Sequence, residues 1–128
     1  MTVLVAGAGP AGARLAIRLA QAGEQVMLVD PLTDPLRNAY SSAAVPMRDA
    51  LQLEIPDDCW GSCWNGWQLL DPEGRTHQWW ADDSLGVVLD FGRLRAALWG
   101  QACRAGVRLI TGCRVCLLYT SPSPRDSR

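Results

Sequence analysis

Val3-Leu4-Val5-Ala6 is a continuous apolar run that stops at a glycine, and Gln25-Val26-Met27-Leu28-Val29 is a second that stops at Asp30. Short apolar runs without polar alternation suit strands buried on both faces, as in parallel sheets. Between them, residues 10–22 are good helix formers, with Leu15, Ala16, Leu19 and Ala20 assigned to one face and Arg14, Arg18 and Gln21 to the other. Gly23 stands where a helix-closing glycine belongs. The pattern predicts a β-α-β unit with the usual right-handed crossover.

Residues 31–56 lose this regularity and are punctuated by Pro31, Pro35, Pro46 and Pro56, leaving room for one short helix around residues 48–53. Asp71-Pro72-Glu73-Gly74 has Pro and Gly at the second and fourth positions of a type I turn, so residues 66–70 and 75–80 should pair as a hairpin. Residues 91–105 return to helical spacing through Leu94, Ala97, Leu98 and Ala102. Gly106 then ends the helix, and residues 107–110 form a further strand.

The chain has 128 residues, 48% of them hydrophobic, and a net charge of −1, the balance of a folded domain rather than a disordered one. Such a charge offers no positive field for a phosphate backbone, so nucleic acid is not an expected partner. No apolar run approaches the length of a membrane span, and the N-terminus has no basic segment ahead of its apolar stretch, which together predict a cytoplasmic protein. Five cysteines suggest reduced thiols. The Cys59/Cys63 and Cys113/Cys116 pairs lack the two tight knuckles usual for structural zinc, so no metal site is expected.

Gly7-Ala8-Gly9-Pro10-Ala11-Gly12 is a G-x-G-x-x-G placed after a predicted strand and at the start of a predicted helix, the context that gives the motif meaning. Gly7 serves the tight turn, Gly9 the approach of a pyrophosphate, and Gly12 the close packing of helix on strand. Pro10 fits the first helical position, where no N–H is needed, and the remaining amides, Ala11 among them, face an anion at the positive end of the helix dipole. Asp30 ends the second strand eighteen positions after Gly12, close to the roughly 20 expected of an acid that accepts from ribose hydroxyls.

These residues, from Val3 to Gly12 with Ala16 and Val26 to Asp30, resemble the FAD-binding start of the two-dinucleotide-fold flavoproteins. The branch they are most similar to holds geranylgeranyl reductases, lycopene cyclases and single-component flavin monooxygenases. That branch has a D-R-x-x-L segment opening a helix and a later G-x-x-V turn; here Asp90-Phe91-Gly92-Arg93-Leu94 and Gly112-Cys113-Arg114-Val115 stand in those places. Phe91 replaces the branch's arginine, so a flavin-contacting guanidinium is either absent or supplied by Arg93. The resemblance implies an α/β, Rossmann-like FAD-binding domain with an inserted β-hairpin. It also implies FAD as cofactor, Arg37 near the pyrophosphate, the backbone of Val115 near the adenine, and a small-molecule substrate of isoprenoid or carotenoid type. Hydride transfer through the flavin is the implied activity; alternatives are a cyclase using reduced flavin without net redox, an NAD-dependent dehydrogenase, or a fragment without function. Peripheral membrane contact stays open.

Residues 116–128 turn abruptly from apolar to Ser/Pro and resemble a translated transposon-end sequencing adapter, the other reading being a natural linker. The division expected is therefore a partial FAD-binding domain over residues 1–115 and a non-native tail, the chain alone being inactive, prone to associate and short of stoichiometric FAD. Trp60, Trp64 and Trp67 fall at i, i+4 and i+7, a spacing that suits a core helix face better than a pocket for an isoprenoid chain. One of Trp79 and Trp80 should point inward. His77, the single histidine, reads as solvent-facing, and nothing singles out a catalytic residue.

Overall fold

The structure, a computed structural model, describes residues 1–41 and 43–116. Along the chain run β1 (Thr2–Ala6), α1 (Pro10–Gln21), β2 (Gln25–Asp30), β3 (Ala44–Pro46) and α2 (Met47–Gln52). A single 3-10 turn at Asp57–Cys59 leads into β4 (Trp60–Trp64), β5 (Gly66–Leu70), β6 (Thr76–Trp80), β7 (Gly86–Leu89), α3 (Phe91–Arg104) and β8 (Arg108–Thr111). The chain divides into two compact units, residues 1–33 with 102 onward, and residues 34–101. The boundary expected at residue 116 falls, beyond Cys116 itself, outside the described residues.

In the first unit β1, β2 and β8 form a parallel sheet with β2 in the middle, Val3 opposite Val26 and Leu28 opposite Leu109. A central strand in a parallel sheet has no wet side, and Val26, Leu28 and Val29 are accordingly buried. Helix α1 turns Ala13, Ala16 and Ile17 inward, while Leu15, expected on the apolar face, is exposed. The inward face is built from small residues because the helix starts very close to the strand end, as Gly12 makes plain below. At its far end Gly23 (φ +90°) donates to the Ala20 carbonyl and Glu24 to that of Leu19, both at 3.0 Å, the paired bonds that close a helix on a left-handed glycine.

In the second unit β7 lies between β3 and β4, antiparallel to both. The register of β4 slips between Trp60 and Cys63, and there Gly61 faces the Val88 carbonyl so closely that a Cβ would sit 2.9 Å from the oxygen. Trp60 and Trp64 thus belong to a strand, not to a helix, and Trp67 lies on β5, more than half exposed. The i, i+4, i+7 spacing was therefore a coincidence of strand–turn–strand geometry. Among the described residues strands β5 and β6 pair only with each other, Trp67 opposite Trp79, as the turn sequence requires. Both Trp79 and Trp80 are exposed, because a two-stranded ribbon within this unit presents neither face to a core.

Cys59 is fully buried, and burial, followed by the neighbouring Asp58 carboxylate, pushes its thiol up to about 11. Only thiolate is alkylated at an appreciable rate. Iodoacetamide at pH 8 should consequently leave Cys59 unmodified in the native protein while labelling the exposed Cys63, Cys103, Cys113 and Cys116. Peptide mass mapping checks this; rapid labelling of Cys59 would show that the 3-10 turn opens.

Candidate functional site

Strand β1 ends at Ala6, and the chain must reverse at once to enter α1. Gly7 makes that reversal at φ +95°, with its N–H donating to the Val29 carbonyl at 2.8 Å, so the loop begins as an extension of the sheet. Gly9 is the N-cap residue at φ −67° and ψ 178°, its carbonyl accepting the first helical bond from Ala13 at 2.9 Å. No side chain caps the helix, Pro10 occupies its first turn, and that turn contains no acid. The first-turn amides of α1 are thus left without a capping side chain, as an anion site requires.

The three motif glycines differ in what surrounds them. Chain neighbours aside, a Cβ on Gly7 or Gly9 would meet none of the described residues within 4 Å, whereas one on Gly12 would lie 1.9 Å from the Gly7 carbonyl oxygen. Gly12 is the packing glycine. Gly9 borders open space above the helix end, where a pyrophosphate can come against the backbone. The dinucleotide expected from the sequence therefore fits this loop.

Asp30 lies at the carboxyl end of β2 and is only 8% exposed. One carboxylate oxygen accepts from the Ala8 N–H at 2.7 Å and the other from the Leu32 N–H at 2.8 Å. The Asp30 carbonyl accepts from Cys113 at 3.1 Å, and that of Leu32 from Gly112 (φ +69°) at 3.2 Å. The loop after β8 is thus fastened beside the same aspartate. Val115, two residues on from Cys113, is exposed. A groove of about 330 Å³ in this unit involves Thr2, Gln25 and Arg108, at the amino ends of the strands, and so lies away from the glycine loop.

In the second unit Arg37 is exposed within the turn that follows Asp34. Arg93 is exposed, pairs with Asp90 at 3.4 Å and donates to the Asp58 carbonyl at 3.2 Å. Asp90 caps α3 through the Arg93 N–H at 3.0 Å. Sequence reasoning overlooked Arg95, a buried guanidinium that donates to the carbonyls of Pro35 and Arg37 and lies 5.7 Å over the Phe91 ring. Its signal was positional, since residues 91, 94, 95, 98, 99 and 102 make one helical face. His77 is exposed but not unattached: Nε2 lies 3.0 Å from Asp71 Oδ2 and the ring stacks on Trp79. The bond from His77, with those from Arg75, holds the Asp71 carboxyl below its ordinary value. This cluster pins the hairpin turn. Among the described residues no group of three or more potential ligands could hold a metal, and no helix is long and apolar enough to cross a membrane.

Residues 1–45 match the family described as FAD binding domain. No curated protein matches the chain. Among solved structures, a geranylgeranyl bacteriochlorophyll reductase-like protein from Thermoplasma acidophilum is similar at 19% identity and a TM-score of 0.75, over 87% of this chain and 30% of that one. FqzB is similar at 21% identity and 0.71, over 94% and 30%, and the myxobacterial halogenase CndH, described as FAD-dependent, at 19% and 0.66, over 91% and 30%. The chain spans about 30% of the length of these relatives. The uncapped helix, open Gly9, closed Gly12 and buried Asp30 agree with that match over residues 1–45, and the fold is Rossmann-like, of the kind that FAD-binding domains have.

Proposed function

We propose that the chain holds the ADP half of FAD within an FAD-dependent oxidoreductase, the pyrophosphate against Gly9 and the first amides of α1, the ribose hydroxyls against Asp30. The observation that carries this reading is the open Cβ position of Gly9 at a helix end that the protein leaves uncapped, beside a buried carboxylate. When bound, the flavin supplies hydride transfer, and the protein contributes binding and orientation. The backbone at Val115 is placed by resemblance at the adenine, and the fastening of residues 112 and 113 to Leu32 and Asp30 supports that placement. The substrate is a small molecule, of isoprenoid or carotenoid class by the same resemblance, and the compartment is the cytoplasm. No observation favours the cyclase, NAD-dehydrogenase or functionless alternatives.

Fluorescence titration tests the reading. Added in excess, FAD should bind weakly and ADP should displace it, while FMN, which lacks the adenosine half, should not compete. Displacement by FMN as effective as by ADP would overturn the assignment.

A further inference from the structure

Asp30 is expected to meet ribose, yet its two oxygens are already engaged by backbone amides, at 2.7 Å from Ala8 and 2.8 Å from Leu32. The Ala8 bond joins residues 22 apart in sequence and is buried, where a charge-assisted hydrogen bond is strong and an unmatched donor costly. Ala8 lies between the turn glycine and the N-cap glycine, so its peptide orientation decides where the following amides point. Gly7 and Gly9 have no side chains with which to hold that orientation themselves. We propose that Asp30 is a positioning residue for the glycine loop: its carboxylate latches the Ala8 amide and thereby sets affinity for the pyrophosphate, in addition to any contact with ribose. This inference rests on the reading of the loop as the FAD pyrophosphate site.

The latch separates from a ribose contact by a probe that has no ribose. Inorganic pyrophosphate is titrated against the wild-type protein, Asp30→Ala and Asp30→Asn, alongside FAD, with amide hydrogen exchange of Ala8 read by NMR in the ligand-free proteins. The asparagine is nearly isosteric, but it can accept at only one position and presents an NH2 group to an N–H at the other. Both variants should lose affinity for pyrophosphate by about tenfold as well as for FAD, and the Ala8 amide should exchange faster in each. Should the alanine variant fail to fold, the asparagine variant decides. Weakened FAD with unchanged pyrophosphate binding and an Ala8 amide as protected as in wild type would overturn the latch and leave the FAD reading standing. Wild-type protein that binds neither pyrophosphate nor FAD would overturn the reading and the latch together.

Discussion

Gly12→Ala should destabilise the first unit by about 3 kcal/mol, a large share of the 5–15 kcal/mol that holds a domain together. Alanine would ordinarily favour a helix interior by about 1 kcal/mol over glycine. Here the added carbon arrives 1.9 Å from the Gly7 carbonyl oxygen, a backbone atom that cannot rotate aside. Either α1 lifts from the strand end, opening the packing of Ala13 and Ala16, or the Gly7 turn is displaced and its bond to Val29 lost. Urea denaturation followed by far-UV circular dichroism measures the effect. A midpoint at or above that of wild type would show that the loop yields freely and that Gly12 has no packing role.

Gly9→Val should give the opposite pattern, with stability nearly unchanged and FAD affinity down by about 100-fold or more. The backbone at φ −67° and ψ 178° is one that any L residue adopts, and the new side chain meets no protein atom within 4 Å of its Cβ. It would instead occupy the space in which the pyrophosphate approaches the amides. Losing about two charge-assisted hydrogen bonds is worth about 3 kcal/mol, or two orders of magnitude. Flavin fluorescence titration beside a melting curve reads both halves. Wild-type affinity in a folded Gly9→Val protein would mean that the pyrophosphate lies elsewhere.

Local chemistry made the first unit readable. Two apolar runs, a helix bounded by proline and glycine, and the spacing to Asp30 each follow from nearest-neighbour rules, and β1, α1 and β2 appear within a residue or two of their expected limits. Strand β3 was hidden because it has three residues and ends on a proline, and β7 because its Val87-Val88-Leu89 run is too short to carry a period. Trp60 and Trp64 show the converse failure. Their helical spacing was real in the numbering, but Gly61 and the slipped register opposite β7 belong to a strand, and strand pairing is decided by residues more than twenty positions away. Within the site, the glycines could be read from spacing alone, whereas the Ala8 partner of Asp30 and the burial of Arg95 depend on how distant segments come together.

The order β1-β2-β8 also governs how the chain must be put together over time. β1 and β2 are joined through a single helix, but β8 begins at residue 108, with the whole of residues 34–101 between it and its partner. On a ribosome, where the chain emerges from the N-terminus, the glycine loop has been made by residue 12 while one side of β2 still lacks its neighbour. The second unit, whose segments are contiguous in sequence, has no such wait, and closing a loop of that size is the slow, entropically opposed step. Synthesis order and folding order therefore diverge: the surroundings of the glycine loop are begun first and completed last, once β8 has been delivered and Cys113 can fasten to Asp30.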